Sequence, residues 1–216
     1  MKKLAKLSIL AASLATVFAA NAATIQLQTG YSAAGPLATA EEYRSVVDAA
    51  VATPGAGYGS TTVSSYDNVS NQGLFGSNSN IAFKATINFG VDAGSTGNYT
   101  FRAGVDFGRG GAVFLDGQAV DLRTNDMWWS GSYSNPSQFF QFSANIGAGN
   151  HTLNMYGLEG CCDGGQQMQF DAGSGFRTID NTTLPPVPEP ETYAMMLAGL
   201  GMLGFLARRK KAQKLG

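Results

Sequence analysis

The chain has 216 residues, of which 44% are hydrophobic, 11% aromatic and only 13% charged, and glycine alone contributes 28. Its formal net charge of −1 hides an uneven layout, because between Ala23 and Leu184 six basic residues face thirteen acidic ones, a net charge of −7. That balance excludes a binder of phosphate backbones, and the scarcity of charge excludes a coiled coil or a charge-rich disordered chain.

Residues 1–22 read as a secretory signal. Lys2, Lys3 and Lys6 form a basic start, the run from Leu7 to Ala20 is apolar, and Ala20-Asn21-Ala22 places small residues at a signal peptidase site. Cleavage is expected after Ala22 or Ala23, so that an exported body begins there.

The body, residues 23–184, opens with one helix signal. Thr39 followed by Glu42 matches a capping box, Tyr43, Val46, Val47, Ala50 and Val51 recur at helical spacing, and Pro54 closes the segment. From Gly55 to Gly76 the chain reads as loop with one or two short strands. Period two then dominates. Ile81 to Phe89, Tyr99 to Phe107 and Phe140 to Ile146 alternate apolar with polar residues, and Thr152–Tyr156 and Gln167–Phe170 follow. Asp116-Gly117 is a two-residue hairpin turn between Ala112–Leu115 and Gln118–Leu122. Seven or more short strands with a lone N-terminal helix predict an all-β fold, an antiparallel, jelly-roll-like β-sandwich.

Tyr99-Thr100-Phe101-Arg102, then Asp106, then Ala112 to Gly117, resembles a protective-antigen-like β-sandwich, and Gly149 to Leu153 with Tyr156 and Glu159 fits its closing hairpin. The resemblance implies kinship with carbohydrate-binding modules, adhesins and glycosidase inserts. Sugar-binding members hold calcium with two consecutive acidic residues, whereas here Phe107 follows Asp106. No cofactor and no metal site is predicted. Calcium remains an alternative through Asp116, Asp121, Asp126 and Asp163, although aspartate beside glycine is also what turns require.

Trp128-Trp129, with Tyr133 close by, lies in a polar stretch from Arg123 to Gln138. Two readings stand: both indoles close the end of the core, or, since adjacent strand residues point to opposite faces, one plugs the sandwich and the other is free to stack on a sugar or a protein surface. Trp128, Trp129, Tyr133 and Asp163 are the ligand-contact candidates. His151 reads as structural.

Cys161 and Cys162 are the only cysteines. Three readings stand: a vicinal disulfide clipping a tight turn, pairing between chains or free thiols, and metal binding. The disulfide leads, because Gly160, Gly164 and Gly165 allow a tight turn and an exported protein meets oxidising conditions. Bridging neighbours requires a distorted or cis peptide. The Cys-Cys-Asp-Gly string resembles the CCXG family of PEP-CTERM proteins.

The C-terminus has its own logic. Pro185, Pro186, Pro188 and Pro190 stiffen a linker over 185–192, an uncharged run over 193–207 predicts a transmembrane helix, and 208–216 is a basic tail opened by Arg208, Arg209, Lys210 and Lys211. Fifteen helical residues span roughly 22 Å, short of the ~30 Å hydrocarbon core. Val187-Pro188-Glu189-Pro190, the apolar run and the arginine-rich end together resemble the PEP-CTERM sorting signal of Gram-negative bacteria. That resemblance implies export across the inner membrane, recognition and cleavage by an exosortase, a transient single-span form, and delivery to the cell surface or extracellular matrix of a polysaccharide-producing bacterium.

There is no phosphate-binding Gly-Lys-Ser/Thr loop, no zinc-protease histidine pair and no Gly-x-Ser-x-Gly elbow. No catalytic residue is predicted. The leading expectation is a non-enzymatic surface or matrix protein that binds or organises extracellular polysaccharide. Its partners would be signal peptidase and exosortase during processing, then polysaccharide or surface proteins, and not nucleic acid. The alternatives are a self-associating structural protein with no glycan ligand and, third, a polysaccharide hydrolase.

Overall fold

Alternation of apolar and polar residues builds the frame. β1 (Thr24–Tyr31), β2 (Ser60–Val63), β3 (Ser79–Val91), β6 (Gly111–Leu115), β7 (Gln118–Arg123) and β10 (Gly149–Cys161) form a six-stranded antiparallel sheet in the order β2-β1-β3-β10-β6-β7. β4 (Gly97–Gly104), β9 (Phe139–Ile146), β11 (Gln167–Asp171) and β12 (Arg177–Thr178) form a second sheet, β12-β11-β4-β9. A two-stranded ribbon pairs β5 (Asp106–Phe107) with β8 (Met127–Trp128). These elements belong to a computed structural model that describes residues 23–184 and 198–203.

The two sheets face each other across the main core. Phe83, Ile87 and Phe89 of β3 and Leu153 and Met155 of β10 meet Phe101, Phe140, Met168 and Phe170 of the other sheet, all essentially inaccessible to water. Burial of each such side chain is worth about 1.5–3 kcal/mol, which makes this the principal source of stability. The antiparallel β-sandwich expected from the alternation is therefore the fold.

The opposite face of the six-stranded sheet is covered by α1 (Ala40–Val51), which packs Tyr43, Val47 and Val51 against Ala82, Phe114, Tyr156 and Leu158. Thr39 and Glu42 cap it reciprocally. A twelve-residue helix is marginal alone, so the buried face rather than propensity holds it. The Tyr43 hydroxyl also donates to the Arg109 carbonyl at 2.7 Å and accepts from the Leu37 amide at 3.1 Å, tying helix to loop.

Asp116 (φ 50°) and Gly117 (φ 81°) form the β6–β7 turn with the two successive positive φ values that a tight hairpin demands. His151 brackets the β9–β10 turn, its ring nitrogens lying 2.7 Å from Asp116 Oδ2 and 3.0 Å from the Gly147 carbonyl.

The structure corrects the sequence reading in four places. The run Tyr99–Phe107 is not one strand: it stops at Gly104 and resumes as β5 with a new partner. The stretch from Arg123 to Gln138 contains β8 and a 3-10 turn at Pro136–Gln138. A second helix, α2 (Asn71–Phe75), lies in the segment read as loop, capped by Ser70 and closed by Gly76 at φ 102°. β1 was missed altogether, although Ile25 and Leu27 alternate with Gln26 and Gln28 and are fully buried.

Residues 198–203 are helical, and among the described residues no helix is long and apolar enough to cross a membrane. The signal segment with Ala20 and Ala22, the Val187–Pro190 motif, most of the 193–207 run and the basic tail lie outside the described residues.

Candidate functional site

The break at Val105 creates the site. Beyond it, β5 leaves the four-stranded sheet, pairs Asp106 with Trp128 and Phe107 with Met127, and drives the Phe107 ring into the core. That ring occupies the space above Gly157 of β10, where any Cβ would collide with it. The loop after β5, the strand β8 and the end of β10 then enclose a cavity of about 380 Å³, lined by Asp106, Arg109, Asp126, Trp128, Glu159 and the Cys161–Cys162 pair, with Gly108 and Gly160 between them. This volume is within the range of small-molecule sites.

Glu159 organises the wall. It is almost fully buried, and its carboxylate accepts from the Gly108 amide through Oε2 and from the Cys161 amide through Oε1 at 2.7 Å. Two loops far apart in sequence are thus clamped by one side chain. Cys161 and Cys162 are joined as a vicinal disulfide across a Cα–Cα distance of 3.7 Å. The described residues contain no cis peptide; the turn is made instead by Cys162 at φ 75°, a left-handed conformation that few side chains adopt. The amides of Cys162 and Asp163 both donate to the Asn78 carbonyl, at 2.8 and 3.2 Å. Arg109 anchors the other wall, its guanidinium donating to the Ala34 carbonyl at 3.1 Å and to Asn80 Oδ1 at 3.2 Å.

Burial, reinforced by the Glu159 and Asp163 charges, pushes the Asp106 carboxyl up to about 7, against a counteracting hydrogen bond from the Gly164 amide. Burial likewise raises Asp163 to about 6, opposed by the amides of Gln72 and Asn71. Asp163 faces inward and accepts from the Gln72 amide at 2.8 Å.

The tryptophan pair divides as the strand geometry requires. Trp128 is 67% exposed, yet its backbone is fixed twice, by pairing with Asp106 and by donating its amide to Gln138 Oε1. Trp129 turns inward and lies so close over Gly104 that a Cβ there would collide with the indole. Tyr133 packs against Trp129 and Phe139 at ring distances of 5.4 and 5.1 Å and beneath the Arg102 guanidinium at 3.9 Å, and its hydroxyl donates to the Gln167 carbonyl. Of the four contact candidates, Trp128 alone borders the cavity; Trp129, Tyr133 and Asp163 lie behind its walls.

Asp116, Asp121, Asp126 and Asp163 do not converge on a cation. Asp116 holds His151 and the Thr152 amide, Asp121 pairs with Arg123 and accepts from the Gln141 amide, and Asp163 is committed to α2. Among the described residues no group of three His, Cys, Asp or Glu side chains could hold a metal ion. The calcium site that the protective-antigen-like resemblance implies does not fit these residues, because Phe107 is core where a second acidic residue would be needed and Glu159 is held by two backbone amides.

Sequence reasoning missed Asp106, Arg109 and Glu159 as cavity residues. Period two put Asp106 on the solvent phase of an apolar strand, and its legible signals were a carboxylate within such a run and its place in the protective-antigen-like pattern.

Residues 186–211 match the PEP-CTERM protein-sorting motif, which marks a chain for exosortase processing and export to the surface or extracellular space. The body has the fold of PA14 domains. It superposes on the PA14 sugar-binding domain from an RTX adhesin with a TM-score of 0.52 at 10% identity, covering 77% of this chain and 99% of that one. It also superposes on the PA14 domain of the MpAFP antifreeze protein with a TM-score of 0.50 at 13% identity, covering 76% and 91%. No curated protein matches the chain.

Proposed function

We propose that the chain is an exported surface or matrix protein whose body binds carbohydrate without chemistry, at the cavity bordered by Trp128. The observation that carries this reading is an indole left 67% exposed on a strand whose backbone is fixed. An indole so exposed forgoes about 3 kcal/mol of apolar burial, a cost that contact with a sugar face would recover. The adhesin's sugar-binding PA14 domain supports the ligand class, since it shares the fold. The sorting motif supports the setting, the cell surface or extracellular space, where polysaccharide is the proposed ligand. In this reading residues 1–22 are removed on export, 193–207 serve as a transient tether, and the Cys161–Cys162 loop is the feature shared with the CCXG type.

Carboxylates around a cavity also suit a polysaccharide hydrolase. Glu159 argues against that role, because it is almost fully buried and each of its oxygens is held by a backbone amide, which fixes it as part of the wall. Self-association without a glycan leaves the exposed Trp128 as a protein contact.

The test is co-sedimentation of the mature body with the host's extracellular polysaccharide, comparing wild type with Trp128→Ala. Binding by wild type that weakens tenfold or more in the variant supports the reading. No binding by either removes the ligand claim, and release of reducing ends would make the protein a hydrolase.

A further inference from the structure

The cavity beside the disulfide has a neighbour. A second cavity, of about 260 Å³, is lined by Asp126, Trp128, Ser130, Ser132, Ser134, Asn135 and Gln138. Asp126 and Trp128 line both. The exposed indole is therefore not the rim of a single pocket; it stands at the junction of two basins of different chemistry. The first has three carboxylates, an arginine and a sulfur ring in its wall. The second offers hydroxyls and amides, with Asp126 its only charged group.

Resting on the carbohydrate reading above, we propose that the two basins and Trp128 form one groove for an internal stretch of a glycan chain of three or more sugars, neutral or amine-bearing rather than acidic. Three features lead there. A terminal sugar needs one basin, and a chain end would leave the second without an occupant. An aromatic face is suited to stack on the apolar face of one ring while the flanking rings descend on either side. The hydroxyls, amides and carboxylates supply donors and acceptors that match sugar hydroxyls.

Charge sets the class. Asp126 borders both basins, Asp106 and Glu159 border the first, and Arg109 is already engaged by backbone carbonyls and Asn80. The body as a whole carries −7 between Ala23 and Leu184. A uronic acid chain would meet Asp126 in both basins and Glu159 in the first, carboxylates that outnumber the single Arg109 cation.

Calorimetric titration of the mature body with cello-, chito-, manno- and galacto-oligosaccharides of one to six units, with glucosamine and galacturonate oligomers alongside, tests this directly. The expected result is affinity that rises at least tenfold between one and three or four units of a neutral or amino-sugar series, then levels off. Ser130→Trp, which fills the second basin from an exposed position, should bring the affinity of the four-unit ligand down to that of the single sugar. A thermal melt confirms that this variant is folded. A monosaccharide that binds as tightly as its tetramer overturns the groove and leaves the carbohydrate reading intact. Galacturonate oligomers that bind as tightly as the neutral series overturn the charge assignment. Failure of every sugar at every length overturns both readings together.

Discussion

Glu159 accepts the Cys161 amide at 2.7 Å, and through its other oxygen it also holds Gly108, so the disulfide turn and the loop after β5 hang on one buried carboxylate. The cavity exists because these two segments are kept at a fixed separation. Replacing Glu159 with Leu would remove the charged acceptor from two part-buried amides, each such bond being worth about 1–3 kcal/mol. The expected loss is roughly 2–5 kcal/mol in urea denaturation, with Glu159→Gln, which keeps one acceptor, losing less. Equal stability of wild type and Glu159→Leu would show that the clamp does not bear on the fold.

Stability should fall as pH rises through neutrality. Asp106 at about 7 and Asp163 at about 6 both lie above the unfolded aspartate value of about 3.9. Between these limits the folded protein binds more protons than the unfolded chain, so the stabilisation is complete in acid and is lost as pH passes through 6 and 7. The lowered carboxyls of Asp180 and Glu42 act in the opposite sense, but only below this window. From pH 5 to pH 8 the change is on the order of 3 kcal/mol, or roughly 6–12 °C in Tm. Asp106→Asn should flatten most of that slope. A wild type that melts higher at pH 8 than at pH 5 would refute the assignment.

The disulfide should matter little for global stability. Closing a ring of two neighbouring residues removes so little chain entropy that the expected contribution is about 1 kcal/mol. Gentle reduction and alkylation should add two labels, neither of which appears without reductant, and lower the melting temperature by only a few degrees. A collapse of the fold on reduction would assign the ring a structural role well beyond the turn it closes.

The tandem tryptophans should separate in one experiment. Gly104→Ala thrusts a methyl group into the Trp129 indole and is expected to cost about 1–3 kcal/mol and to alter the near-ultraviolet circular dichroism. Trp128→Ala, at an exposed position, should shift stability by no more than about 0.5 kcal/mol. The reverse ranking would mean that the exposed and packed indoles have been exchanged.

The sandwich was legible in the sequence because its strands alternate over a single buried face, as in Ile81 to Phe89, and α1 because its cap and apolar stripe agree. β5 and β8 were not. Each is two residues long, too short for any periodicity, and their pairing depends on the chain leaving one sheet at Val105, which only packing decides. For the same reason Trp128 was found by its chemistry and its neighbours were not. Asp106 and Glu159 become cavity walls through strand register and loop closure, neither of which is written in local composition. Tyr133 was drawn in by its proximity to the tryptophans in sequence, yet it packs under Arg102 and Phe139.

β10 lies at the centre of the six-stranded sheet, between β3 and β6. Without it that sheet falls into two fragments, β2-β1-β3 and the β6–β7 hairpin. Its partner β3 is complete seventy residues before β10 ends, with Ser79 opposite Cys161 and Val91 opposite Gly149. Pairings so distant along the chain form slowly, since the intervening loop must close before the contacts can stabilise it. A polypeptide delivered from its N-terminus therefore cannot finish this sheet until residue 161 has emerged. The last residues of β10 to join the sheet, at Cys161, are also those that complete the cavity.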